Sequence, residues 1–238
     1  MTFFTPVNAE VKVVTSIKPL HSLASYLMDG VGKPDLIVDG YASPHGFAMK
    51  PSHAKMLQNA DLIFWGGVEL ESFLEKPLSS IAKKAEKIEL METKGLQVLK
   101  FRERNIFDEH DDHDDHDDHD GHAKKKKDEH DDHDDHEGHA HGEYDPHIWL
   151  DPINAKVILK EMTEHLIEND SKNASTYKSN LDKALKDIDK LTMNVMTELN
   201  QSVSSIVFHD AYQYFEKRFN VNILGAFTVN TDVMPGAE

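Results

Sequence analysis

The chain has 238 residues, of which 39% are hydrophobic, and this is enough to bury a core in one large domain or in two small lobes. Its formal net charge of −17 argues against a nucleic-acid-binding protein, because such proteins present a basic surface. The lack of cysteine excludes disulfides, thiolate metal sites and a cysteine nucleophile, and no apolar run is long enough to span a membrane.

The first nine residues look like the end of a secretory signal peptide. Val7 and Ala9 are small and spaced as at a cleavage site, although the basic and apolar regions that precede such a site are missing or clipped. A disordered N-terminus is the alternative. Export is the favoured interpretation because a strand pattern starts directly afterwards, at Glu10. Residues 1–9 are therefore assigned to a signal-peptide remnant.

Strands and helices alternate over the next 80 residues. Strands are predicted at residues 11–17, 36–38, 62–65 and 88–90, and helices from Pro19 to Gly30, from residue 51 with Ser52 as N-cap, and from residue 70 to about 74. This alternation is typical of an α/β fold in which helices flank a parallel sheet. Ligands gather at the carboxyl ends of the strands in such sheets, and His45 follows the second strand.

Residues 108–143 form a low-complexity segment of Asp-Asp-His repeats. It contains 17 acidic residues and four lysines, so −13 of the net charge of −17 lies here. The segment cannot bury apolar surface and is predicted to be a disordered loop. Its interleaved imidazoles and carboxylates favour weak capture of divalent metals, with a solvated acidic spacer as the alternative. The ten histidines of this auxiliary set are His110, His113, His116, His119, His122, His130, His133, His136, His139 and His141.

Two helices are predicted after this loop. The first begins with Asp151 as N-cap and Pro152 in the first turn. In the second, apolar residues recur at three- and four-residue steps from Tyr177 to Leu199, which indicates an amphipathic helix of about 30 residues and about 45 Å. A helix of that length can join two lobes. Strands at residues 203–208 and 221–224 then start a second lobe.

Three histidines far apart in the sequence, His45, His147 and His209, each adjoin a strand-like run or the turn that leaves one. If the fold brings them together, they supply three imidazole nitrogens to one metal ion. Imidazole suits zinc, copper, iron and nickel, whereas carboxylate-rich sites suit manganese, calcium or magnesium. The remaining histidines outside the loop are interpreted as surface or packing residues; they are His21, His53 and His165. Because Asp210 and Tyr212 follow His209 closely in the sequence, they are candidate hydrogen-bond partners of its ring.

Several segments together resemble the zinc-specific substrate-binding proteins of bacterial ABC transporters, the cluster A-I type often called ZnuA. The similarity runs from about Val11 to Glu238. Besides the His-rich loop, the matching segments are TSIKP at 15–19, KPS at 50–52, QNADL at 58–62, HIWLDP at 147–152, FHDAYQYF at 208–215 and FTVN at 227–230. The resemblance implies two α/β lobes joined by a long rigid helix, with zinc in the cleft between them. By position, His45, His147 and His209 match the three histidine ligands of the family.

The resemblance also implies a domain organisation. We expect an N-terminal lobe at residues 10–152, connecting helices at 153–201, and the start of a C-terminal lobe at 202–238. The family's second lobe continues past Glu238, so this lobe is expected to be incomplete and the fourth coordination position to fall to water or a loop residue. Pro44 and Ala226 stand where some members carry an acidic residue and an auxiliary histidine, respectively.

The function implied is that of a periplasmic zinc-binding protein that hands Zn²⁺ to a membrane permease, as a monomer and without catalysis. Four alternatives are open: a manganese or other divalent-metal binder of the same superfamily, a His-rich metal buffer, a metallohydrolase, and a truncated non-functional product. Three histidines with an open water position also describe a catalytic zinc site, but the sequence has no His-Glu-x-x-His helix.

Overall fold

A four-stranded parallel sheet forms the first half of the fold. The computed structural model describes residues 11–102 and 143–228. The strands are β1 (Val13–Thr15), β2 (Asp35–Leu36), β3 (Leu62–Trp65) and β4 (Glu86–Glu89), in the order β2-β1-β3-β4 with every neighbouring pair parallel. Successive strands are connected through the helices α1 (Lys18–Leu27), α2 (Pro51–Asn59) and α3 (Ser72–Ser80).

The two central strands of this sheet lie inside the main core. Every residue of β1 and β3 is buried, and both strands are runs of apolar or β-branched residues. Parallel strands covered by helices on both faces require such continuous runs rather than an apolar–polar alternation. The predicted α/β class with a helix-flanked parallel sheet is confirmed.

Two long helices follow. Helix α4 (Pro152–Asn169) starts as predicted, because the Asp151 side chain accepts a hydrogen bond from the backbone N–H of Ile153 at 2.8 Å. Helix α5 (Ala174–Glu198) has 25 residues and is about 38 Å long. It is shorter than the 30 residues predicted, since a 3₁₀ turn at Ser171–Asn173 precedes it.

Helix α5 packs on the preceding part of the fold from its start to about Ile188. Tyr177 and Ala184 are buried, and the Asn180 side-chain amide donates to the carbonyl oxygens of Leu27 and Asp29. Towards its end, Leu191 is exposed, as are Met193 and Met196. The helix therefore leaves the main core before it ends.

A second, smaller unit follows α5. Strand β5 (Ser204–His209), helix α6 (Gln213–Phe219) and strand β6 (Asn222–Thr228) form a βαβ arrangement in which the two strands pair in parallel. Asn220 ends α6 in the left-handed conformation, with φ 53°, which is a common helix C-terminal geometry. We call this the β5–α6–β6 unit.

Several predicted boundaries are corrected. Ser52 is not the N-cap of α2: Pro51 occupies the first helical position, and a residue before proline is held extended, so Lys50 with ψ 160° is the cap residue. Helix α3 begins at Ser72 rather than near residue 70 and continues to Ser80. Strand β2 ends at Leu36, although backbone hydrogen bonds from Ile37 and Val38 to Thr15 and Ser16 continue the pairing.

Some predictions fall outside the described residues or are not tested by the fold. The signal-peptide remnant at residues 1–9 and the ten loop histidines lie outside the described residues. The division at residues 152, 201 and 202 stays a prediction. Within the described residues, no helix is both long and apolar enough to cross a membrane.

Candidate metal centre

The fold brings the three separated histidines together. Ring centroids of His45, His147 and His209 lie 5.1–5.9 Å apart in all three pairs. One nitrogen from each ring can be chosen so that all three lie within 4.8 Å of one another. The Nε2 atoms of His147 and His209 are 3.4 Å apart. Two nitrogens bound tetrahedrally to one zinc ion at about 2.0–2.1 Å lie about 3.3–3.4 Å apart, so this pair is already at ligand spacing.

Each histidine comes from a different part of the fold. His45 lies in the loop that leaves the carboxyl end of β2, where its backbone N–H donates to the Ser43 hydroxyl at 3.2 Å. His147 directly precedes the 3₁₀ turn Ile148–Leu150, which leads into α4. His209 is the last residue of β5. His45 therefore follows the carboxyl end of a parallel strand and His209 lies at one, where ligand residues are expected.

Asp145 fixes the orientation of His147. Its carboxylate Oδ1 accepts hydrogen bonds from the backbone N–H of His147 at 2.9 Å and from Nδ1 of the ring at 2.7 Å. Asp145 is 1% exposed, so this contact is shielded from water. Because a carboxylate only accepts, Nδ1 carries the proton and Nε2 offers its lone pair. Carboxylate–histidine pairs of this kind orient metal-binding imidazoles and increase their basicity.

Helix α6 holds Asp145 from the other side. The Tyr214 hydroxyl donates to the backbone carbonyl oxygen of Asp145 at 2.7 Å and accepts from the backbone N–H of Leu99 at 3.0 Å. The Gln213 side-chain amide donates to Oδ2 of Asp145 at 3.3 Å and to the carbonyl oxygen of Lys100. Burial, followed by the negative charges of Asp145 and Asp151, raises the pKa of Tyr214 to about 12, so this hydroxyl stays a donor.

Two ion pairs link α6 to the rest of the fold, one to Asp151 at the start of α4 and one to Arg102. The Arg218 guanidinium makes two hydrogen bonds to the Asp151 carboxylate, at 2.8 and 2.7 Å. That carboxylate raises the pKa of Arg218, and paired guanidinium–carboxylate bonds are among the stronger polar contacts in proteins. Arg102 contacts Glu216 at 2.5 Å and Asp210 at 3.6 Å. The position of His209 relative to His147 is thus fixed through α6.

The residues that hold the histidines in place were not predicted from the sequence. Asp145 stands only two residues before His147, and a bend at Pro146 lets its carboxylate fold back to the ring. An acidic residue at that spacing is a signal that the sequence contains. Tyr214 and Gln213 give no such signal, because their role depends on tertiary contact. Asp210, proposed from adjacency, faces Arg102; burial raises the pKa of its carboxyl while the Arg102 charge opposes that change.

The three other histidines of the described residues lie outside the cluster. His21 on α1 contacts the carbonyl oxygen of Pro34 through Nε2 at 3.0 Å. His53 is buried on α2, and its Nδ1 accepts the backbone N–H of Lys50 at 3.2 Å. Burial, aided by the Lys50 charge, lowers the pKa of His53, which agrees with a neutral ring that accepts a hydrogen bond. His165 lies on α4 among glutamates.

The family model described as zinc-uptake complex component A, periplasmic, named ZnuA, matches residues 13–238. The chain belongs to the ZnuA family. It is 45% identical over 232 residues to the high-affinity zinc uptake system protein ZnuA of Brucella abortus (strain 2308), covering 94% of this chain and 70% of that protein. The protein of the same name from Yersinia pestis is 36% identical over 232 residues, with 97% and 70% covered. A family of uptake components identifies a transport protein rather than an enzyme.

Solved structures support the fold independently. A crystal structure of ZnuA superposes with a TM-score of 0.69 at 19% identity, covering 95% of this chain and 74% of that one. A zinc-bound AdcAII variant of Streptococcus pneumoniae gives 0.67 at 21% identity, with 95% and 73% covered. A manganese-bound periplasmic metal-binding protein from Candidatus Liberibacter asiaticus gives 0.66 at 18% identity, with 94% and 71% covered. Because the same fold holds zinc in one protein and manganese in another, the fold alone does not select the metal.

Proposed function

We propose that this protein binds Zn²⁺ between His45, His147 and His209 and delivers it to the permease of an ABC transporter for zinc uptake. The observation that carries the proposal is the convergence of three imidazoles, with the Nε2 atoms of His147 and His209 at 3.4 Å. The name shared by the Brucella and Yersinia relatives, a high-affinity zinc uptake system protein, supports the same function.

The donor set favours zinc over manganese. The three grouped ligand atoms are all imidazole nitrogens, and the carboxylate nearest to His147, that of Asp145, is engaged by the non-ligating side of the ring. Nitrogen-rich sites suit zinc, whereas manganese sites are usually built with more oxygen ligands. We therefore expect the site to bind Zn²⁺ more tightly than Mn²⁺.

The proposal also covers the location, oligomeric state and partners of the protein. A component that captures zinc for a permease works outside the cytoplasm, and the family description places it in the periplasm. We propose that this chain is periplasmic, acts as a monomer and has no nucleic-acid partner. The acidic net charge of −17 supports the last of these points.

The experiment that tests the site is zinc titration of the full chain and of His45→Ala in competition with a chelator. We expect one tight site in the wild type, lost in His45→Ala and retained in His21→Ala. The control changes a histidine on α1 that contacts the Pro34 carbonyl oxygen instead of the cluster. Equal tight binding by His45→Ala and the wild type would refute the assignment.

A second arm separates this function from that of a His-rich buffer. Residues 108–141 are deleted and the ends joined by a short linker, which the fold permits because Lys100 and Tyr144 pair in an antiparallel bridge and the Phe101 N–H donates to the Glu143 carbonyl oxygen. A transporter component keeps its tight site after this deletion. A buffer loses nearly all zinc binding.

A further inference from the structure

We propose that Glu86, His165 and Glu168 form a second divalent-metal site, separate from the three-histidine cluster. One ligand atom from each of these residues lies within 4.8 Å of the other two. The ligands come from two elements, since Glu86 is the first residue of β4, and His165 and Glu168 lie in the last turns of α4. A metal ion bound there would tie the end of α4 to the sheet.

The proposed site lies at the opposite edge of the sheet from the three-histidine cluster. Glu86 begins its strand, whereas the His45 loop leaves a strand at its carboxyl end. His165 is 13 residues beyond Pro152, which places it about 20 Å along α4 from the end that adjoins His147. The two sites therefore share no ligand and can be tested independently.

The imidazole of His165 is placed to use Nδ1 as a metal ligand. Nδ1 is shielded from solvent and lies 2.8 Å from a carboxylate oxygen of Glu86 and 3.7 Å from one of Glu168. The nitrogen makes no hydrogen bond of acceptable geometry within the described residues, although the Glu86 oxygen is close. The two atoms are at ion-pair distance but are not aligned as a hydrogen bond, so both can face one metal ion.

Two further residues orient these ligands. The Nε2 atom of His165 lies 3.4 Å from a carboxylate oxygen of Glu161, which favours a proton on Nε2 and leaves the lone pair on Nδ1. The Asn169 side-chain amide donates to the second carboxylate oxygen of Glu86 at 2.7 Å, so the first faces His165. Metal-binding imidazoles and carboxylates are commonly held by such outer partners.

The charge of the cluster also favours a cation. Three carboxylates, those of Glu86, Glu161 and Glu168, surround one imidazole. Within the part of the chain that the structure describes, no lysine or arginine nitrogen lies within 4.0 Å of these carboxylates. One nitrogen and two oxygens suit Mn²⁺ and Zn²⁺, with Zn²⁺ bound more tightly. Glu168 is 69% exposed, so water completes the coordination and binding is weaker than at a buried site.

The test uses Mn²⁺ as a paramagnetic probe in amide NMR spectra of the full, metal-stripped chain. Mn²⁺ at the proposed site broadens the amide signals of residues near positions 86 and 165–169, and added Zn²⁺ restores them. We expect His165→Gln and Glu168→Gln each to weaken this local effect at least tenfold. Glu164→Gln is the matched control, because it removes the same charge from an exposed position of the same helix.

Each outcome decides the proposal. Local broadening that Zn²⁺ relieves, that is lost in both site variants and retained in Glu164→Gln and in His45→Ala, supports it. Glu168 is exposed, so Glu168→Gln keeps the fold even if His165→Gln does not. No local broadening in the wild type, or equal broadening in Glu168→Gln, overturns it and leaves a hydrogen-bonded ionic cluster without metal. His45→Ala also separates this result from failure of the proposed zinc-uptake site.

Discussion

Replacing Asp145 should weaken zinc binding without touching a ligand. In Asp145→Ala, the ring of His147 loses a charge-assisted hydrogen bond of 2.7 Å, and Nδ1 is no longer fixed as the protonated nitrogen. Losing an outer partner of a metal-bound histidine costs about 10–100-fold in affinity, which corresponds to about 1.4–2.7 kcal/mol. In Asp145→Asn the amide oxygen can still accept from Nδ1, so we expect a loss near the lower end of that range.

The assay is chelator competition with the full chain, using a chelator that holds zinc more tightly than the loop histidines do. Asp145→Ala also leaves the backbone N–H of His147 without its side-chain acceptor, which costs about 1–3 kcal/mol of stability. Unfolding is therefore measured in parallel, and the comparison is made where each variant is folded. Asp182→Asn, an exposed position on α5, is the control.

The outcome also tells the two ring nitrogens apart. If Nε2 of His147 is the ligand atom, removal of Asp145 weakens binding. If Nδ1 were the ligand, the carboxylate would compete with the metal and its removal would strengthen binding. A folded Asp145→Ala protein that binds zinc as tightly as the wild type, or more tightly, would refute the reasoning.

Burial raises the pKa of Glu71 from 4.5 to about 7, so the free energy of unfolding falls by about 3 kcal/mol as pH rises from about 4.5 to 7. In denaturant unfolding with chelator present, Glu71→Gln should flatten this pH dependence. The control Glu75→Gln, at an exposed position, should not. Arg218→Ala should lower the free energy of unfolding by about 1–3 kcal/mol and weaken zinc binding, because it removes two hydrogen bonds to buried Asp151. An unchanged melting temperature, or an equal effect of the control Lys217→Ala, would contradict this. Zinc affinity should decrease when the pH is lowered below about 6, because imidazoles must be deprotonated to bind the metal. Equal affinity in titrations at pH 5 and pH 7.5 would count against three histidine ligands.

The fold class could be predicted because its signal is local. Strands β1 and β3 are continuous apolar runs, and helices α4 and α5 carry apolar residues at helical spacing. Boundaries were less well predicted where one residue constrains its neighbour. At α2, the proline at position 51 moved the cap to Lys50, and the polar Ser52 gave a misleading signal.

The candidate site, too, could be predicted from the sequence only in part. The three histidines could be chosen because each follows an apolar run or adjoins a turn, and because a family resemblance covered all three. The residues that set their spacing could not be chosen. Tyr214 reaches Asp145 across 69 positions and Arg218 reaches Asp151 across 67, and no local pattern encodes such a contact.

This dependence on distant contacts determines how the site is built. His147 belongs to the segment that leads into α4, and His209 ends β5, in the β5–α6–β6 unit. Helix α6 starts four residues after His209 and binds Asp145, which in turn binds His147. We therefore expect movement of α6 to change the Nε2–Nε2 distance of 3.4 Å that suits one zinc ion. It follows that variants at α6, far from the lone pairs that bind metal, should alter zinc affinity through the spacing of the ligands.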